Sequence, residues 1–112
     1  MIFNLDSTGN LIWEQYIHKN QLSLDDDGVY SSFALLNEGN KLRYLFNEML
    51  GRQVRLHSFS LQGNGTALQE DIYHSDQRDI ILAPRFAKQT GKSEILIPSF
   101  TRQSFRLVKL KF

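Results

Sequence analysis

Two stretches, "FNLDSTGNLIWEQYIH" from Phe3 and "FSLQGNGTALQEDIYH" from Phe59, align without a gap, and this internal repeat limits the fold more than any other feature. Phe3 falls on Phe59, Leu5 on Leu61, Gly9 on Gly65, Glu14 on Glu70 and His18 on His74, all at one offset of 56, which Gln21 and Gln77 continue. Beyond them "NEGNKLRYLF" lies over "KQTGKSEILI" once the first copy gives up about three residues, which pairs Leu42 with Ile95 and Tyr44 with Ile97. Further on, "RQVRLHSFSL" lies over "RQSFRLVKLKF", with Arg52 and Gln53 on Arg102 and Gln103. A chain built this way repeats one supersecondary unit rather than folding around a unique topology.

The unit reads as strands. Short apolar runs rich in Phe, Tyr and β-branched residues, interrupted by "STGN", "NEGN", "QGNG" and "QTGK", predict tight hairpins in which Gly or Asn takes positive φ. Strands are expected near residues 2–6, 11–18, 30–37, 41–47, 54–61, 67–74, 80–88, 93–99 and 105–112. In "NKLRYLFNEMLG" the residues Leu42, Leu45, Phe46, Met49 and Leu50 also fit helical spacing. Its counterpart "SEILIPSF" contains Pro98, which a helix interior resists, so a strand is preferred in both copies and a helix over 41–50 is the alternative.

A repeat of about 56 residues with four strands in two successive hairpins is the plan of a β-propeller blade. The expected fold is therefore all-β, with antiparallel four-stranded blade repeats forming a partial β-propeller of nine strands: a half blade over 1–18, a full blade over 19–74 and a three-stranded incomplete blade over 75–112. Such a ring normally needs about four or more blades, and unpaired edges at 2–6 and 105–112 would be templates for another chain. Self-association as a homo-oligomer, or completion by the missing blades of a parent chain, follows as an expectation.

The run "NQLSLDDDGVYSSFALLNEGNKLRYLFNE", followed by "IILAPRFAKQTGKSEILIPSFTRQSFRLVKLKF", resembles the C-terminal end of a group of large bacterial proteins with propeller-like repeats. The resemblance covers nearly the whole chain, and it departs at "EMLG", where that group continues into polar loop residues. It implies a fragment of a longer, extracytoplasmic parent. It implies no reaction, because the group has no assigned activity.

Composition narrows function by exclusion. Thirteen Lys plus Arg against twelve Asp plus Glu leave a formal charge of +1, so no basic field favours nucleic acid. Cysteine is absent, which removes disulfides, thiolate metal sites and cysteine nucleophiles but names no compartment. No apolar run reaches the ~20 residues of a membrane-spanning helix, and "MIFNLDSTGN" lacks the charged and apolar regions of a signal peptide.

Candidate chemistry is sparse. The acidic triplet in "LDDDGVYSS" fails the helix–loop–helix calcium pattern, because placing Gly28 sixth puts Ala34 where a bidentate Glu belongs. It reads as a solvated connection between blades, with an irregular Ca²⁺ site on Asp25 and Asp27 as the alternative. "GNGTAL" lacks the third glycine of a dinucleotide loop and reads as a hairpin turn. His18 and His74 occupy equivalent places in two repeats, and with His57 they form no evident metal set. None of Ser31, Ser32, Ser58, Ser60 and Ser93 sits in a nucleophile elbow.

Trp13, Tyr16 and Tyr73 are the candidate binding residues, since exposed aromatics stack well on a sugar or peptide, although Trp13 in alternation with Leu11 also suits core packing. The basic and aromatic close from Arg85 to Phe112 suggests one wet and one dry face. The expected function is a non-catalytic propeller-type scaffold or a ligand- or protein-binding module. The alternative is part of a carbohydrate-active enzyme of glycoside-hydrolase type, with its site at the ring's centre and this chain supplying some of the walls; Glu14 and Glu70, equivalent residues of two blades, give no reason to expect paired carboxyls across one cleft.

Overall fold

In the computed structural model, which describes residues 1–18, 32–50, 53–74, 81–100 and 104–112 except for the side chains of Leu50, Gln53, Tyr73 and His74, the chain is all-β. The described strands are β1 (Ile2–Leu5), β2 (Leu11–Gln15), β3 (Phe33–Asn37), β4 (Lys41–Leu50), β5 (Gln53–Gln62), β6 (Ala67–His74), β7 (Lys88–Gly91), β8 (Glu94–Phe100) and β9 (Phe105–Lys111). They form three antiparallel sheets, β1-β2, β3-β4-β5-β6 and β7-β8-β9, none of them closed. No helix among the described residues is long and apolar enough to cross a membrane.

Both stretches of the offset-56 pair are hairpins with the same turn. In one, the Asp6 amide donates to Asn10 O and the Gly9 amide to Asp6 O; in the other, Gln62 donates to Thr66 O and Gly65 to Gln62 O. Gly9 and Gly65 hold matching φ of 88° and 91°, the left-handed conformation that a glycine adopts most readily. "GNGTAL" is thus the turn between β5 and β6.

One detail separates the two hairpins. The register slips by one residue at Asn4/Leu5 in the first but at Leu56/His57 in the second. Because side chains alternate with period two, such a slip turns the outer strand over between the two bulges. Trp13 opposes Asn4 and packs on the second sheet, whereas its counterpart Gln69 opposes Phe59 and shares that residue's face.

The ambiguous segment 41–50 is a ten-residue strand paired along its length with β5, from Lys41↔Gln62 to Leu50↔Gln53. In β8, the Pro98 carbonyl accepts the Ala83 amide on the side away from β9. A residue's N and O point the same way in a strand, so the missing proline N–H removes no hydrogen bond to β9.

The strand expected over 80–88 is a correction. There the chain makes a single bridge, Leu82↔Ser99, then a 3₁₀ turn at Pro84–Phe86, and the strand itself begins at Lys88. Proline at the first position has its φ preset for a turn and has no N–H for a ladder. The Phe86 amide therefore folds back to Ala83 O, and the Ala87 amide to Pro84 O.

The middle sheet carries a core on each face. One joins Ala34, Leu36, Leu45 and Leu56 to Leu82, Ile95 and Ile97, with Val108 and Leu110 packed alongside. The other joins Phe46, Phe59 and Leu61 to Ile2, Trp13 and Ile17 of the first sheet.

Polar side chains tie the layers. Gln89 acts as a spare peptide group at the β3 edge: its amide oxygen accepts the Asn37 amide at 3.0 Å and its nitrogen donates to Asn37 O at 2.8 Å. Buried Asn47 donates to Leu82 O at 2.7 Å. Below them, Arg43 donates to Glu38 at 3.1 Å and to Ser58 Oγ at 2.8 Å, with its guanidinium 4.1 Å from the centre of the Phe112 ring.

Candidate binding cleft

Strand β3 reads "FALLN", apolar at four consecutive positions, so both of its faces favour burial. Among the described residues, one face is covered. Leu36 is 0% exposed against the third sheet, while Phe33 and Leu35, pointing the other way, are 53% and 47% exposed. Among the described strands the first sheet has only β1 and β2, and it packs on the middle sheet through Ile2, Trp13 and Ile17.

What remains is an apolar cleft of about 450 Å³, walled by Met1, Ile2, Phe3 and Ile17 on one side and by Phe33, Tyr44 and Phe46 on the other. The Phe33 and Tyr44 rings sit 5.8 Å apart and tilted, forming one aromatic floor. Along its side runs β1, whose only partner among the described strands is β2. Its other edge therefore presents backbone donors and acceptors beside the cleft.

At the far end, Phe46 stacks on the His57 ring at 5.7 Å. The imidazole is buried, with Nε2 lying 2.9 Å from a Glu48 carboxylate oxygen and 3.1 Å from one of Asp71. The Gln69 amide nitrogen is 3.2 Å from Nδ1. Asp71 also faces Arg55 at 3.4 Å. No set of three metal-ligating side chains fit to hold a metal ion occurs among the described residues.

The residues singled out from sequence are dispersed. Trp13 is half-buried; its Nε1 donates to Gly63 O at 3.0 Å, next to a Gln15 side chain that donates to Gly65 O at 2.8 Å, so the indole clamps the first sheet to the β5–β6 turn. It also borders a shallow recess of about 160 Å³ with Leu42 and Leu61. Tyr16 is exposed past the end of β2. The Tyr73 and His74 side chains, and Asp25 and Asp27 entirely, lie outside the described residues.

Glu14 and Glu70 are exposed on β2 and β6, and Ser58 is buried under Arg43. In the basic close, Val108 and Leu110 pack on the core while Lys109 and Lys111 reach Glu94 at 4.0 and 3.5 Å. Sequence reading missed the cleft floor and the His57 cluster. The uninterrupted "FALL" run signals the first; the second comes from three strands and has no sequence spacing to betray it.

No family model, no curated protein and no solved structure matches the chain.

Proposed function

We propose that the chain is a non-catalytic module of β-propeller type, its three sheets being successive blades, and that it scaffolds or binds a protein or other ligand within a larger or oligomeric assembly. The observation that carries this reading is the repetition of facing. Tyr44 on β4 packs toward the first sheet, and its repeat counterpart Ile97 on β8 packs toward the second. The same holds for Leu42, whose partner Leu61 lies in the core against the first sheet, and for Ile95 in the core between the second and third sheets. The second and third sheets each turn these equivalent residues to the sheet before, as stacked blades would.

A binding role is favoured by the apolar cleft, since a contiguous uncovered patch of this kind on a small domain is usually an interaction surface. The resemblance to repeat-bearing bacterial proteins belongs to the same proposal. Light scattering of the purified chain tests it: a multimer is expected, and a monodisperse monomer at high dilution removes self-association. Incubation with a panel of chromogenic glycosides is expected to leave them intact; turnover would overturn the non-catalytic reading.

A further inference from the structure

We propose that the edge of β1 that has no partner among the described strands and the cleft beside it are one receptor for a β-hairpin donated by another polypeptide segment. The hairpin's inner strand pairs antiparallel with β1, and its aliphatic face lies on Phe33, Tyr44 and Phe46. This inference rests on reading the sheets as blades and adds to it the occupant and its register.

The internal repeat specifies both. β1 stands 56 residues before the part of β5 that runs from Ser58 to Leu61, and β5 is flanked on one side by β6, as β1 is by β2. On its other side β5 pairs with β4, and that edge of β1 has no partner among the described strands. Transferring the β4–β5 register puts a β4-like strand on β1 with its Leu45 equivalent opposite Ile2 and its Tyr44 equivalent opposite Phe3, from the observed pairs Leu45↔Ser58 and Tyr44↔Phe59.

The side chains then match. In the middle sheet, Ala34 and Leu36 of β3 and Leu45 of β4 form the hairpin face that lies on the following sheet. The same face on a docked hairpin would lie over the cleft. The occupant is thus an antiparallel hairpin with small and aliphatic residues alternating on one face, held by main-chain bonds to an edge strand and by apolar contacts below.

The β3–β4 segment itself is the probe. A fluorescent synthetic peptide of residues 33–50, added to the intact protein, is expected to bind saturably and to raise hydrogen-exchange protection at residues 2–5. Phe33→Ser and Tyr44→Ser on the protein are expected to weaken binding about tenfold or more, while Phe105→Ser, on β9, leaves it unchanged.

Because the chain has no cysteine, register can be read by disulfide trapping. Phe3→Cys on the protein is expected to couple to a peptide carrying Tyr44→Cys and not to one carrying Phe46→Cys, since only directly opposed residues bring Cβ atoms to about 5 Å.

Absent binding, binding indifferent to Phe33→Ser and Tyr44→Ser, or protection at 53–62 from exchange with the resident β4 would overturn the inference. Protection of residues 2–5 that rises with protein concentration without peptide would also overturn it, by making the occupant a second copy. The blade reading has a separate readout in Trp13, the single tryptophan. Solvent-like emission from the native protein would remove the stacking of the first two sheets whatever the peptide does.

Discussion

The Trp13 indole lies against Gly65 so closely that a Cβ built on the glycine would sit 2.9 Å from the indole Cγ. Gly65 also holds φ at +91°, so an added side chain meets two penalties there. Its repeat counterpart Gly9 has the same backbone at φ +88° but nothing within 4 Å of a built Cβ. Gly9→Ala should cost about 1–2 kcal/mol from the left-handed backbone alone. Gly65→Ala should cost that and a further ~1–3 kcal/mol of overpacking. Urea melts of the two variants, repeated in a Trp13→Ala background, check the difference, which the background should abolish.

Arg43, Glu38 and Ser58 form a buried polar network capped by the Phe112 ring. Removing one ion of such a pair leaves the other charged and without its counter-ion. Glu38→Ala is therefore expected to destabilise the fold by about 3–5 kcal/mol, and Glu38→Ala with Arg43→Met to recover much of the loss. Phe112→Ala should cost less, on the order of 0.5–2 kcal/mol for a cation–π contact. Denaturant midpoints of the three variants test the ranking, and a double variant as unstable as Glu38→Ala alone would contradict it.

The hairpins and turns were legible because glycine and asparagine mark left-handed positions locally, and because the repeat let Pro98 decide the nature of residues 41–50. The third sheet's entry was not, since the apolar run "IILAPRFA" resembles a strand until Pro84 takes its ladder position away. Trp13 shows a deeper limit. Its match to Gln69 predicts one face, and a bulge displaced along the hairpin puts it on the other. Bulge placement and sheet stacking depend on contacts some 50 residues away, such as Trp13 on Gly63, which no local pattern encodes. Asp71, His57 and Glu48 meet for the same reason, through the pairing of β4, β5 and β6.

Leu35 and Leu36 are sequence neighbours with opposite surroundings, 47% and 0% exposed. Leu36→Ala empties part of the core with Leu45 and Ile95 and should cost about 2–5 kcal/mol. Leu35→Ala leaves no cavity and should stay within about 0.5 kcal/mol, as surface substitutions do. Leu35→Ser should likewise leave the dilute-solution melt unchanged. A large stability loss for Leu35→Ala would mean that this face is already covered.

The turn between β1 and β2 is tied by an ionised carboxylate where its twin is not. Asp6 accepts hydrogen bonds from the Thr8 hydroxyl at 2.7 Å and from the Thr8 and Asn10 amides at 2.9 Å each, and these hold its pKa below the usual 3.8, the Thr8 side chain contributing most. A depressed folded-state pKa makes the contribution to stability full above the unfolded value and lost as pH falls through the folded one. The loosening should thus appear only below pH 3.8. At the matching place the second hairpin has Gln62, and Thr66 donates instead to the Asn64 side-chain amide, which does not titrate. In an NMR titration the Thr8 and Asn10 amides should shift with an inflection below 3.8 while Thr66 stays flat. Asp6→Asn should flatten the Thr8 response as well, and an Asp6 inflection at or above 3.8 would show that the turn does not hold the carboxylate.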